Sequence, residues 1–211
     1  MPWVTPHPWR EVAWALVAVV LVLVIGWFWG AGWLLPKPYD VINQVIISSP
    51  LVALLAIRRQ PLSSAWLRTN RIWLRLVVGL GLAMVAILVC ISVRGAGPSW
   101  LTAVSQVYTL SHAAYAVQVL GEDFGMAILF VRLSAAVGSR LAILSVAVLF
   151  SLAHVSGLLQ NGATAAGLGH LVLDAGLAVV VLAVVQTSAD IWWFWMVHFA
   201  MDMMQFTAPH Q

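Results

Sequence analysis

Charge is what this sequence lacks. Of its 211 residues only 8% are Asp, Glu, Lys or Arg, against about 25% in a soluble domain. A chain so poor in charge cannot clothe a surface in water, which excludes an ordinary soluble globular protein. Cysteine is almost absent. Cys90 stands alone, so an intramolecular disulfide and a cysteine-based metal site are both ruled out. Lysine is equally scarce, with Lys37 beside nine arginines. The pI near 9.6 gives no sign of a nucleic-acid partner. The arginines lie mostly near the ends of apolar runs, where basic residues set orientation in a membrane.

What fills the sequence is apolar: 63% hydrophobic residues and a mean hydropathy of +0.98. A membrane-spanning helix needs roughly 20 such residues. Candidate spans are 12–35, 41–57, 72–93, 141–159, 164–186 and 190–206. The segment 100–133 is less uniform, holding Ser105, Gln106, Ser111, His112, Gln118, Glu122 and Asp123 without a proline to break it. It predicts either one long tilted helix or two helices meeting near Gly121. The expected fold is therefore all-α, a polytopic membrane helix bundle of about seven spans, within a range of six to eight. The first run is too long for a signal-peptide core and no small-residue cleavage site follows it, so it is expected to be a retained span. There is no repeat, linker or low-complexity stretch, and only 1–11 and 205–211 look like loose ends.

Arg58, Arg59, Arg68, Arg71 and Arg75 crowd the connection between the second and third spans. The positive-inside rule makes that side cytoplasmic. Counting outward then puts the N-terminus in the cytoplasm and a turn carrying Arg132 and Arg140 on the same side. Loops 36–40, 95–99 and 159–163 face outward. The tryptophans at 27, 29 and 33, and at 192, 193 and 195, either mark the membrane interfaces or fill helix contacts.

Against this background the polar residues inside spans stand out: Glu122, Asp123, Asp174 and Asp202, with His112, His154, His170 and His198. An Asp at mid-bilayer costs roughly 2.5–3.5 kcal/mol on insertion scales, so intramembrane ionisable residues are functional-site candidates by default. His198 and Asp202 lie four apart in "HFAMD", as do His170 and Asp174 in "HLVLD", so each pair shares a helix face. Acids on one helix and histidines on others can hold a water, take its proton and stabilise an oxyanion. They can also ligate zinc. For His112 the plainer reading is structural, and for His170 with Asp174 it is a buried pair joining helices. Depth separates the groups. At 1.5 Å per residue, Glu122 lies about 15 Å from Arg132, His198 about 15 Å from Ser188 and His154 about 21 Å from Arg140, all near the middle of a roughly 30 Å core. His170 lies about 27 Å from Ser188, which sets "HLVLD" nearer the outer face and outside the same site.

Three short motifs, in order, resemble the CPBP family of CAAX proteases and bacteriocin-processing enzymes. That family's pattern is EExxxR, FxxxH and HxxxN or HxxxD, each on a membrane helix. Here the corresponding stretches are "EDFGMA" (122–127), "FSLAH" (150–154) and "HFAMD" (198–202). The resemblance covers about 100–206. Residues 1–99 then form N-terminal spans without a recognised motif, and 207–211 a short tail. It implies an intramembrane endopeptidase acting on a membrane-associated protein or peptide within the lipid bilayer. Glu122 would be the base that activates water and His154 would help hold it. His198 and Asp202 would orient the site and stabilise the oxyanion, with Asp123 beside them. Zinc held by Glu122, His154 and His198, and a metal-free glutamate–histidine site, both fit the pattern. The chain departs from the family in its first motif, where Asp123 replaces the second Glu and Ala127 replaces the Arg.

Two rival readings stay open beside this one. A catalytically silent member would bind a membrane partner, and a proton-linked transporter would use the same acids and histidines as a relay. A rhomboid-type serine protease is not supported, since no GxSG occurs and "HVSGL" has Val155 at the first Gly position.

Overall fold

The structure, a computed structural model, describes residues 7–30, 32, 34–37, 39–94, 99–155 and 164–206, without the side chains of Arg94, Ala165, Ala166, His170, Gln205 and Phe206. The expectations for Trp33, for most of the outer loops 95–99 and 159–163, and for residues 1–6 and 207–211 lie outside the described residues; residues 8–11, expected within a loose end, instead begin α1, with Glu11 buried. Within them the chain is helical with no strand. Eight α-helices follow in order: α1 (Pro8–Gly30), α2 (Asp40–Ile57), α3 (Ile72–Arg94), α4 (Trp100–Val107), α5 (Ala113–Val137), α6 (Ser139–Ala153), α7 (Ala165–Ser188) and α8 (Ile191–Phe206). Five helices, α1, α2, α3, α5 with the turn before it, and α7, are long and apolar enough to cross a membrane. The all-α bundle expected from the sequence is the fold observed, that of an integral, multi-pass membrane protein.

The helix boundaries follow local chemistry. Ser99 caps α4 by accepting from the Thr102 amide, and Thr164 caps α7 by accepting from the Gly167 amide. The segment 100–133 does break, but not at Gly121. α4 ends at Val107, a single 3-10 turn spans Leu110–His112, and α5 runs unbroken through Gly121. At the break the hydroxyls of Thr109 and Ser111 bond to each other at 2.6 Å. Gly121 serves close packing instead, since a Cβ there would collide with Ser48 Oγ of α2.

α5 is the central helix. It touches α1, α2, α6 and α8, and every residue from Asp123 to Leu133 is buried. α1, α3 and α7 bury only a small share of their length. In a bilayer this is the expected arrangement, because lipid tails are as apolar as a protein core and helix association depends on packing and polar contacts. One core joins the second half of α5 to α1, α2, α6, α7 and the start of α8. The other joins α3, α4, the first half of α5 and the second half of α8.

One end of the bundle is tied by polar contacts. Arg58 pairs with Glu11, and Gln60 donates to Glu11 Oε2 at 2.8 Å. Arg75 pairs with Asp190. The Ile191 amide donates to Trp66 O at 3.3 Å, and Trp192 Nε1 donates to Arg68 O at 2.8 Å. Arg132, expected in an exposed turn beside Arg140, is instead 0% exposed. Its guanidinium donates to Ser64 O at 2.8 Å, to Ser64 Oγ at 3.1 Å and to Gln60 Oε1. The physical reason is that α5 continues to Val137 before turning at Gly138 (φ 85°), which leaves Arg132 inside the bundle while Arg140 is exposed. The tryptophans of α8 fill contacts. Beside the Trp192 bond, Trp193 donates to Ser188 Oγ at 3.0 Å and Trp195 to Ala116 O at 2.7 Å. Trp27 is 66% exposed, as an interfacial tryptophan would be.

Candidate functional site

The seam between the two cores is where the acids and histidines meet. On α5, Asp123 lies between Val119 of one core and Phe124 of the other. On α8, His198 lies between Phe194 and Phe199, which divide in the same way. A helix of 25 residues such as α5 is about 37 Å long, and Asp123 lies roughly 15 Å from its start. It therefore sits deep in the apolar layer.

His198 Nδ1 and Asp123 Oδ1 are 2.8 Å apart. The Asp123 side chain is wholly buried and that of His198 is 17% exposed. On its other side, His198 Nε2 lies 3.6 Å from Asp202 Oδ2. The imidazole thus stands between two carboxylates. Its ring stacks on Phe194, with centroids 5.3 Å apart. Phe150 of α6 completes the surround, its ring 6.3 Å from His198 and 4.8 Å from His154. The Phe of "FSLAH" thus touches both imidazoles, a role the motif alone does not reveal.

His154 follows the last residue of α6. Its Nδ1 lies 2.9 Å from Phe150 O, and a carbonyl can only accept, so Nδ1 carries the proton and Nε2 presents its lone pair. Glu122 is half-buried, and Gln118 Nε2 donates to its Oε1 at 2.9 Å. Of the residues singled out by sequence, Asp123, His198 and Asp202 are brought together directly, Phe150 touches both His154 and His198, and Glu122 adjoins Asp123 on α5.

Counted from the helix ends, Asp174 comes out at a depth similar to that of Glu122. α5 extends past Arg132 to Val137, so Glu122 lies roughly 22 Å from the arginine-bearing end, and Asp174 lies roughly 21 Å from Ser188. The His170 side chain is outside the described residues. His112 takes the structural part expected of it in one respect, its Nδ1 lying 3.0 Å from Val107 O at the α4–α5 break.

Position 127, one helical turn beyond Asp123, is Ala, 1% exposed and packed in the core, and offers Asp123 no partner. Its partner comes from α8 instead. Arg132 does not reach it, being bound to Gln60 and Ser64.

A zinc set of Glu122, His154 and His198 is not assembled. Among the described residues no group of three or more His, Cys, Asp or Glu is arranged to hold a metal ion. His198 Nδ1 is committed to Asp123, and Gln118 occupies Glu122 Oε1.

What fold and site define is a class: a multi-pass, all-α membrane protein with an acid–histidine cluster inside the apolar layer. No protein-family model, curated protein or solved structure matches the chain.

Proposed function

We propose that the chain is an intramembrane endopeptidase of CPBP type, hydrolysing a peptide bond of a membrane-associated protein or peptide. The observation that carries this reading is the Asp123–His198–Asp202 chain across α5 and α8, with Glu122 beside Asp123 on α5 and Phe150 in ring contact with both His154 and His198. Ionisable groups are tolerable at this depth only when they satisfy one another or line a wet pocket.

Glu122 is the base. Gln118 fixes Oε1 and leaves Oε2 to take a proton from water. His154 Nε2 accepts the water's other hydrogen and aligns its oxygen with the carbonyl carbon. As the C–O bond forms, charge gathers on the carbonyl oxygen. His198, when protonated at both nitrogens, has an N–H on Nε2 to donate to it, while Asp123 holds the ring through Nδ1. Collapse of the tetrahedral intermediate breaks the C–N bond, and the proton held by Glu122 passes to the leaving amine. Asp123 is a positioning residue in this scheme, because its only contact with the reaction runs through His198.

The charge distribution supports an orientation with the N-terminus in the cytoplasm, since the connection 58–71 and the turn with Arg140 share the end where α1 begins; a bacterial inner (cell) membrane is part of the proposal. A second reading, a proton relay in a transporter, draws on the same carboxylate–imidazole–carboxylate chain. The experiment that decides is a cleavage assay on membranes carrying the wild-type chain or Glu122→Gln. Cleavage by wild type and none by the variant supports the peptidase. Proton-driven uptake with no cleavage by wild type would replace it with the relay.

A further inference from the structure

The arginine-bearing end holds Arg10, Arg58, Arg59, Arg68, Arg71, Arg75, Arg132 and Arg140, by their places on the helix ends that meet there. Two acids answer them in ion pairs, and each is taken: Glu11 by Arg58 and Asp190 by Arg75. Arg132 is turned inward onto Gln60 and Ser64. Arg10, Arg59, Arg68, Arg71 and Arg140 remain, all exposed, and three of them, Arg59, Arg68 and Arg71, lie on the one connection between α2 and α3. No acid among the described residues pairs with them.

That connection is not a loose loop. Gln60, Ser64, Ala65 and Trp66 are buried beneath it, and Trp66 packs on Phe130 of α5 with ring centroids 5.0 Å apart. Its carbonyls at Ser64, Trp66 and Arg68 accept from Arg132, the Ile191 amide and Trp192. Its backbone carries strain where the free charges are. Arg59 (φ 51°) and Arg71 (φ 51°), with Trp66 (φ 61°) between them, are three of the four non-glycine residues with positive φ among the described residues. Glycine would hold such angles at no steric cost, and left-handed non-glycine residues concentrate at ligand clamps and switches. Exposed Trp73, one residue into α3, adds an amphipathic ring beside Arg71, as at a headgroup layer.

We propose that the rigid connection 59–71 is a binding surface for anionic phospholipid headgroups, with Arg59, Arg68 and Arg71 as the phosphate-contacting residues. The occupant follows from charge and place. The uncompensated charge is positive, it lies at helix ends where headgroups are, and guanidinium presents a planar fork matched to phosphate oxygens. A general orientation signal needs only basic residues in a short connection. It does not need a pinned backbone with arginines at left-handed positions.

The test is native mass spectrometry of the full chain in neutral detergent, titrated separately with phosphatidylglycerol and phosphatidylcholine. The wild type is expected to favour phosphatidylglycerol by at least roughly tenfold, a modest fraction of what three surface arginines can supply. The combined variant Arg59→Gln, Arg68→Gln, Arg71→Gln should lose most of that preference, while Lys37→Gln, at the other end, should keep it. Raising salt on the wild type should also erode the preference, a readout that does not depend on the variant folding. Equal binding of the two lipids by wild type would overturn the proposal, as would a preference that salt leaves unchanged. Displacement of the lipid by millimolar inorganic phosphate would overturn the lipid assignment in favour of a small-anion site.

Discussion

His198 on α8 and Asp123 on α5 meet at 2.8 Å where the two apolar cores of the bundle join. The contact ties the third motif to the first and supplies Asp123 with the partner that Ala127 cannot. Because the Asp123 carboxylate is wholly buried, it is also a structural constraint: removing one member strands the other in the apolar layer. His198→Ala is therefore expected to destabilise the protein by about 3–5 kcal/mol, the usual cost of breaking a buried pair. Asp123→Asn and His198→Gln made together should cost less than the sum of the singles, with a coupling of about 0.5–3 kcal/mol. Unfolding of the four proteins in detergent measures it, and strictly additive losses would mean the two side chains do not interact.

For catalysis the two adjacent acids should rank in a definite order. Glu122→Gln keeps the shape and the bond from Gln118 but removes the proton acceptor, so cleavage should fall at least ~10²-fold. Asp123→Asn should be milder, because an amide oxygen can still accept from His198 Nδ1. Initial rates on a membrane-embedded substrate decide the matter. The reverse order would transfer the role of base to Asp123, and an unchanged rate in both variants would remove the peptidase reading.

Much of this arrangement is legible in the sequence because the bilayer enforces simple rules. Apolar runs long enough to span mark α1, α2, α3 and α7 to within a few residues, and acids inside such runs had to face inward. Other features depended on where a helix stops, which hydropathy does not record. Arg132 resembles a turn arginine until α5 is seen to run on to Val137. That same extension brings Asp174 level with Glu122. The break at 108–112 carries no proline or glycine to mark it, whereas Gly121 reads as a helix breaker and is a packing position against Ser48. The contact of Phe150 with both imidazoles follows from the meeting of α6 and α8, a tertiary fact with no local signal.

Arg132 offers a test of the polar network independent of any enzymatic reading. Its guanidinium serves Ser64 O, Ser64 Oγ and Gln60 Oε1 at once. A lysine keeps the charge but has a single compact ammonium that cannot reproduce the fork. Arg132→Lys should lower stability by about 1.5–3 kcal/mol, the worth of one hydrogen bond to a charged group. The loss should show as earlier thermal unfolding and as faster proteolysis within 58–71, since that connection is what Arg132 holds down. A stability equal to wild type would mean the contacts contribute nothing net.

A close approach of α3 to α8 gives a sharper structural test, since two glycines of α3 lie in opposite surroundings. A Cβ on Gly79 would meet the Trp193 Cα at 2.8 Å and Met196 Cγ at 3.0 Å, whereas a Cβ on Gly81 meets nothing within 4 Å. Backbone cannot rotate out of the way as a side-chain tip can, so Gly79→Ala must push α3 and α8 apart. Overpacking of this kind costs about 1–3 kcal/mol. Gly81→Ala fills open space and stiffens the unfolded chain, which stabilises by about 0.4–1 kcal/mol. The two variants should therefore shift the unfolding temperature in opposite directions. Because α8 also carries His198 and Asp202, Gly79→Ala should reduce cleavage as well, by moving the imidazole away from Asp123, while Gly81→Ala should leave the rate alone. Matching shifts from the two variants would mean that α3 and α8 are not packed at Gly79 as closely as described.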